Sequence, residues 1–281
     1  MPAKGQRPSE LSYQAKSLTG AIERPVTVWP ESKEHRDWIA EELPVAISYN
    51  GISHVVMMAS PTNLKQFALG FSFTEGIIET KDDIYDCDIQ QTPAGIEINI
   101  AISQRCFSLL KNRQRQLSGK TGCGICGIES LKMLERSFKP ISCNRQFSHR
   151  AIQQAVNLIG CQQPLQQLTG ATHAASWCDS EGNVIFTTED IGRHNALDKL
   201  IGIMLEQATA PSNGFIFISS RVSYEMAQKA IAIGAPLLAG ASAPTAMALN
   251  EANKYGLCVV GFARPGRQVI YTETQRVSEN G

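Results

Sequence analysis

Phe215-Ile-Phe-Ile-Ser219, Val222-Ser-Tyr-Glu-Met-Ala-Gln-Lys-Ala-Ile-Ala-Ile233, Leu237-Leu-Ala-Gly-Ala241, Pro244-Thr-Ala-Met-Ala-Leu-Asn-Glu-Ala-Asn-Lys-Tyr255 and Leu257-Cys-Val-Val-Gly-Phe262 follow one another almost without spacers. The three short runs are continuously apolar, as strands buried on both faces are. The two longer runs repeat apolar residues at helical spacing. Strand–helix–strand alternation of this length predicts a mostly parallel sheet covered by helices on both faces.

The same reading extends outward. Upstream, Ser148 is placed to cap a helix running to Ile159. Thr172–Cys178 and Val184–Thr188 read as paired strands across the turn Asp179-Ser-Glu-Gly-Asn183, and a helix follows from about Arg193 to Glu206. Downstream, Gln268–Thr272 reads as a last strand able to join either half. Nearer the N-terminus, Val45–Tyr49 and Ile52–Met58 flank Asn50-Gly51, a strong hairpin signal because both turn positions need φ > 0. Pro61-Thr62 opens a helix carrying Leu64, Phe67, Ala68 and Phe71 on one face, with Gly76 near its end. A second hairpin spans Asp86 to Ile102 and turns at Pro93-Ala-Gly95. Ser103 to Leu117 reads as a basic helix with Arg105, Lys111, Arg113 and Arg115, which is ordinarily a solvated face. Residues 1 to about 40 are polar, and Pro25 and Pro30 read as breakers. The expected organisation is therefore an irregular segment over 1–40, a hairpin and helix domain over 41–145, and an α/β domain over 146–281. The class is α/β overall, with an α+β N-terminal part.

Composition excludes several functions. The chain has 281 residues, 43% hydrophobic and 19% charged, a globular balance. Lys and Arg total 26 and so do Asp and Glu, so the basic excess of a nucleic-acid-binding protein is missing. No window approaches the roughly 18 apolar residues of a membrane span, and the polar N-terminus lacks a signal-peptide core. The expectation is a cytoplasmic protein.

Eight cysteines are too sparse for a disulfide-stapled scaffold. Six are scattered singly, and the ordinary reading of each is a small buried hydrophobe. Cys123 and Cys126 differ. They lie in Thr121-Gly-Cys-Gly-Ile-Cys-Gly127, too glycine-rich to hold a helix or strand by itself, so a flexible loop is expected before a helix over Ile128 to Phe138. Cys126 precedes that helix, whose N-terminal N–H groups favour a thiolate. Lys120 and Lys132 add positive charge; Glu129 subtracts. Three uses compete. A thioredoxin-like dithiol normally follows a strand, and here a helix precedes the loop. A structural zinc site would draw on Cys123, Cys126, Cys143 and His149, ligands of the right type and spacing. A sulfur carrier would use the loop as an arm holding a persulfide. Gly119-Lys120-Thr121 is not a P-loop, because the motif's first glycine would fall on Gln114.

The cysteine loop is joined by Gly170-Ala-Thr-His-Ala-Ala175, Glu189-Asp-Ile-Gly-Arg-His-Asn-Ala-Leu-Asp-Lys199, Ser219-Ser-Arg-Val-Ser-Tyr-Glu-Met226 and Ser242-Ala-Pro-Thr245. Five motifs in this order, spread over about residues 40 to 275, resemble the FdhD/NarQ family of sulfur carriers needed for active formate dehydrogenases. The resemblance implies that an L-cysteine desulfurase passes persulfide sulfur to the Cys-x-x-Cys loop. It implies delivery to the bis-molybdopterin guanine dinucleotide form of the molybdenum cofactor, bound as substrate, for the catalytic subunit of formate dehydrogenase. Cys123 is then the residue carrying sulfur to the cofactor, although local electrostatics alone favour Cys126. Cys126 would receive sulfur or release it through a mixed disulfide. The cofactor-binding stretch falls on Phe262-Ala263-Arg264-Pro265-Gly266-Arg267, with GDP as a mimic of the guanine nucleotide. A homodimer, no bound zinc and no nucleic-acid or membrane partner are also implied.

The family fold is similar to that of cytidine deaminases, a three-layer sandwich. The zinc deaminase signature is absent: His173-Ala174-Ala175 lacks the glutamate of H-x-E, and no P-C-x-x-C follows. What such a fold retains is a ligand crevice at the carboxyl ends of its strands. Arg193, His194, Arg221, Arg264 and Arg267 fall at strand–helix junctions or just past strand ends, where guanidinium forks suit phosphate. Ser219, Ser220, Ser242 and Thr245 fall at helix starts, where a hydroxyl either caps or binds phosphate. His194 is placed to cap or stack, and Phe262 to stack on guanine or fill core. The competing reading is a zinc-stabilised nucleotide-binding protein without covalent chemistry.

Overall fold

A computed structural model describes residues 20–118 and 136–279. In the N-terminal half, β3 (Leu43–Tyr49) and β4 (Ile52–Ala59) form the expected hairpin, with Asn50 at φ 48° and Gly51 at φ 80°. Strands β5 (Ile84–Thr92) and β6 (Gly95–Ile102) form the second, and β6 runs parallel to β3. The resulting four-stranded sheet has the order β4-β3-β6-β5. Alternate residues Val45, Ile47 and Tyr49 on β3, and Ile96, Ile98 and Ile100 on β6, turn to one face and are buried. Helix α1 (Leu64–Thr74) lays Phe67, Ala68 and Phe71 on that face, joined by Cys106 and Leu110 of α2 (Gln104–Ser118).

Residues 21–40 are not irregular. They form a ribbon, β1 (Ala21–Val28) against β2 (Lys33–Ala40), antiparallel and in continuous register. Pro25 is tolerated within β1 because both strands of a two-stranded ribbon are edges, and Pro30 lies in the connecting turn. Reading each proline as a breaker missed this. Two of the α2 charges, Arg105 and Arg113, are used internally. Arg105 bonds Glu79 at 2.6 Å and Asp83 at 3.2 Å, and Arg113 donates to the carbonyl of Gly76 just past α1.

In the C-terminal half Ser148 caps α3 (His149–Ile159), accepting from the Ala151 N–H at 3.0 Å. The short α4 (Pro164–Thr169) leads to β8 (His173–Asp179), β9 (Val184–Asp190) and α5 (Arg193–Glu206). β10 (Gly214–Ile218), α6 (Tyr224–Ile233), β11 (Leu237–Gly240), α7 (Ala246–Tyr255), β12 (Cys258–Arg264) and β13 (Arg267–Ile270) complete the half. A short parallel pair joins β7 (Phe147–Ser148) to β14 (Val277–Ser278). The large sheet has six strands in the order β13-β12-β11-β10-β8-β9.

This sheet is mixed rather than mostly parallel. Only β10/β11 and β11/β12 pair in parallel, while β8/β9, β8/β10 and β12/β13 are antiparallel. Parallel pairs need a crossover helix, which α6 and α7 supply; β8/β9 and β12/β13 are joined by turns, which can only reverse the chain. The last strand joins the large sheet, beside β12. Helices cover both faces. α5, α6 and α7 pack on one through Leu197, Leu200, Met226 and Ala252, and α3 packs on the other through Ile152 and Ala155 against Phe215 and Val260. The expected helix over 128–138 lies outside the described residues except at its end, where Arg136–Phe138 have no regular structure.

The two halves meet where α1 crosses α5. At that crossing a Cβ on Gly70 would run into the backbone carbonyl of Asp198, and one on Gly202 into the carbonyl of Gln66. Glycine on both helices lets the backbones touch, so α5 is enclosed by α1 on one side and the large sheet on the other. Gly202→Ala is therefore expected to destabilise the protein by about 3 kcal/mol. Gly160→Ala, where an added Cβ meets nothing within 4 Å, is expected to change stability by less than about 0.5 kcal/mol. Urea unfolding of the two variants checks this.

Candidate functional site

β10, β11 and β12 end, and β8 begins, on one rim of the large sheet, which β9 also reaches with Asp190. The rim is stitched by backbone bonds. The Ser219 N–H donates to Ala174 O at 3.0 Å, the Ala241 N–H to Ile218 O at 3.0 Å and the Phe262 N–H to Ser242 O at 3.2 Å. Every strand-end residue singled out from the sequence falls on it: Arg193 and His194 in the first turn of α5, Ser219 and Arg221 after β10, Ser242 after β11, and Phe262–Arg267 where β12 turns into β13.

The stretch Phe262–Arg267 is a bulge followed by a tight turn. Arg264 pairs with Arg267 across Pro265-Gly266, and Gly266 has φ 74°, as the third residue of a type II turn requires. The Gly266 N–H donates to Gln153 Oε1 at 2.8 Å, tying the turn to α3. Phe262 sits in the bulge at φ 50°, a left-handed conformation that costs an aromatic residue on the order of 1–3 kcal/mol. Its ring is half-buried, with the Arg267 guanidinium 5.1 Å from the centroid. Ala263 is buried core. Arg264 is exposed, with its Nε–H donated to Ala241 O at 2.9 Å.

The opposite end of the rim is more enclosed. Ser219 Oγ accepts from the Ala174 N–H at 2.9 Å and lies 3.4 Å from His173 Nδ1. It does not cap α6. That helix begins after Ser223, whose buried hydroxyl has no hydrogen-bond partner. Arg193 Nε and His194 Nε2 are also buried without a hydrogen bond. His194 Nε2 lies 2.7 Å from Glu225 Oε2, an ion-pair distance but out of line for a hydrogen bond. His194 neither caps nor precedes α5, whose N-cap is Gly192. Thr245 does cap α7, accepting from the Ala248 N–H at 3.3 Å. Ser220 Oγ donates to the carbonyl of Arg221.

Burial holds His173 below its ordinary value, and the nearby Arg193 charge adds to the effect. His194 is also pushed down by burial, against the pull of Glu225. The corner thus gathers His173 at the start of β8, Arg193 and His194 in the first turn of α5, and Ser223 before α6, with the Glu225 carboxylate beside His194.

Beneath it lie two buried ion pairs the sequence reading did not single out. Lys199 Nζ lies 2.7 Å from Asp190 Oδ2, both side chains fully enclosed. Lys229 Nζ meets Asp198 at 2.9 Å and Thr74 Oγ1 at 2.9 Å, with Glu75 at 3.2 Å. Burial alone would push Lys229 down, but the Asp198 and Glu75 carboxylates hold it above its ordinary value. The signal was present as Asp198-Lys199 inside the apolar run Ala196-Leu-Asp-Lys-Leu-Ile201.

Cys123 and Cys126 lie outside the described residues. Of the other cysteines, Cys106, Cys178 and Cys258 are buried as expected, and burial pushes the Cys258 thiol up to about 12. Cys161 departs from that reading and is exposed. Cys143 is half-buried and His149 exposed on α3. Among the described residues no three His, Cys, Asp or Glu side chains cluster as a metal site, and no helix is long and apolar enough to cross a membrane.

A sequence model of the FdhD/NarQ family matches residues 40–278. The chain belongs to this family. It is 43% identical over 245 residues to the sulfur carrier protein FdhD of Variovorax paradoxus, covering 87% of this chain and 88% of that protein. It is 46% identical over 241 residues to the sulfur carrier protein FdhD of Cupriavidus necator, covering 86% and 84%. A crystal structure from Desulfotalea psychrophila, assigned as a formate dehydrogenase accessory protein, superposes with a TM-score of 0.71 at 22% identity. It covers 92% of this chain and 100% of that one, so the α/β architecture is shared.

The histidines set a pH dependence. His54, His173 and His194 are all held below 6.5 by burial, so the folded protein binds fewer protons there than the unfolded chain. Stability must then fall as pH drops below about 6.5, before carboxylates titrate. Urea midpoints measured between about pH 7.5 and pH 5.5 are expected to decline, and His194→Asn to reduce the slope.

Proposed function

We propose that this protein is a sulfur carrier for formate dehydrogenase. The observation that carries this reading is the match, over most of the chain, to sulfur carrier proteins, in a sequence with paired cysteines at 123 and 126. An L-cysteine desulfurase is the donor. The Cys123 thiolate attacks the sulfane sulfur of the donor persulfide; the donor's S–S bond breaks, a new S–S bond forms on Cys123, and the donor cysteine leaves as thiolate. Release balances through the second cysteine. Cys126 attacks Cys123 Sγ, the sulfane sulfur leaves as hydrosulfide, and the two thiols become a disulfide, having supplied two electrons. In this sense the protein acts as a sulfurtransferase.

The receiving substrate is the bis-molybdopterin guanine dinucleotide cofactor. The strand-end rim is the proposed dock. Arg264 and Arg267 hold one end with Phe262 against guanine, and Arg193, His194, Ser219, Arg221 and Ser242 take phosphate and ribose oxygens. The unpartnered Arg193 Nε and Ser223 Oγ, and the strained Phe262, support this reading, since orphaned donors and backbone strain concentrate where ligands bind. The strand order β9-β8-β10-β11-β12, with helices on both faces, supports a deaminase-like three-layer domain over 146–281. Residues 41–145 then form the domain leading into the cysteine loop.

Two results are expected. GDP should bind the wild type, and Arg264→Ala/Arg267→Ala should weaken it at least tenfold by calorimetry; equal binding would contradict the assignment of Phe262–Arg267. Cys123→Ala should keep its melting temperature and its GDP affinity yet fail to activate formate dehydrogenase. Retained activation, or loss of stoichiometric zinc with a lowered melting temperature, would contradict the carrier mechanism.

A further inference from the structure

We infer that Asp190, with Lys199 as its buried counter-charge, is the positioning residue for the anion-binding turn Gly192–His194; the inference rests on the rim being the nucleotide dock.

The Asp190 carboxylate is fully enclosed and each of its oxygens is committed. Oδ1 accepts from the Gly192 N–H at 2.8 Å and from Asn195 Nδ2 at 3.1 Å. Oδ2 accepts from the Ser60 N–H at 3.0 Å and Ser60 Oγ at 2.9 Å, with Lys199 Nζ at 2.7 Å. Asn195 Nδ2 also reaches Met58 O at 2.8 Å. One carboxylate therefore grips the N-cap and the third residue of α5, with Arg193 and His194 between them. Its other oxygen fastens that grip to the end of β4 in the other half.

Stability does not explain the arrangement. A buried ion pair can commonly be replaced by uncharged residues of similar size at little or no cost in stability. What an uncharged pair loses is orientation, because an amide has one accepting oxygen and its NH2 would face donors in place of the other. Packing points the same way. A Cβ on Gly192 would lie 3.0 Å from Asn195 Nδ2 and 3.4 Å from Asp190 Oδ1, so the turn is pressed against its support with no slack. The sister pair Asp198–Lys229 uses the residue just before Lys199 on α5 and bonds Thr74 instead of the turn, which makes it an internal control.

The test uses the full-length protein. Asp190→Asn/Lys199→Met removes both charges together, so neither member of the pair is left as a lone charge. Gly192→Ala leaves every charge in place. Asp198→Asn/Lys229→Met is the control. Melting temperature, GDP affinity and the rate of sulfur uptake from a cysteine desulfurase are measured on each. The expected result is at least tenfold weaker GDP binding in the Asp190/Lys199 variant and at least threefold weaker in Gly192→Ala. Sulfur uptake should stay within twofold of wild type in both, and the control should stay within threefold for GDP. GDP binding at wild-type strength in a folded Asp190/Lys199 variant, or in Gly192→Ala if that variant alone folds, overturns the inference. A parallel loss of GDP binding and sulfur uptake does so too, because it marks a merely structural role. Absence of GDP binding by the wild type overturns the nucleotide dock itself, and the inference with it.

Discussion

At the crossing of α1 and α5, Gly70 and Gly202 leave room for backbone to meet backbone. Much else follows from it. Between helix and sheet the stretch Asn195–Gly202 of α5 is buried all round, so the charged side chains on it need partners inside. Asp198 and Lys199 do so in opposite directions. Asp198 bonds Thr74 and Lys229, and Lys199 bonds Ser60, Thr62 and Asp190. Both sets bridge the N-terminal and C-terminal halves. Because each set takes hydrogen-bond partners from both halves, directional contacts as well as apolar packing hold the halves in one relation.

That relation matters to the proposed function, which divides its chemistry between them. The paired cysteines follow α2, which packs on the N-terminal sheet, whereas the strand-end rim belongs to the C-terminal sheet. On the proposed function, sulfur taken up at the cysteines must reach the rim, so the relation between the halves decides whether the two meet. The rim offers an exposed arginine turn at one end and a corner of depressed histidines and unpartnered donors at the other.

Some of this architecture is written locally in the sequence and some is not. Asn50-Gly51, Ser148 and the span Arg193–Glu206 were read correctly because turn chemistry, capping and helical periodicity are local. The placement of Arg193, Ser219, Ser242 and Phe262–Arg267 on one rim followed from the rule that alternating strands and helices put strand ends together. The ribbon over 21–40 was missed because its prolines look like breakers unless it is known that both strands are edges. The sheet's direction was misjudged because helix–strand alternation was extended to β8/β9 and β12/β13, which turns connect. The support beneath the site was not legible because its partners are over a hundred residues apart: Ser60 with Asp190, and Thr74 with Asp198. An unpaired Asp-Lys inside an apolar helix says that partners must exist, not where they lie.

The central claim is that sulfur rides on the Cys123–Cys126 loop. The most direct measurement is peptide mass mapping after incubating the pure protein with a cysteine desulfurase and cysteine, with thiols blocked only at the end. The account predicts the added mass of a sulfur atom on the peptide carrying Cys123 and Cys126, removable by a reductant, and none on peptides carrying the buried Cys106, Cys178 or Cys258. Added sulfur on exposed Cys161 alone, or none anywhere while the donor is active, would contradict it.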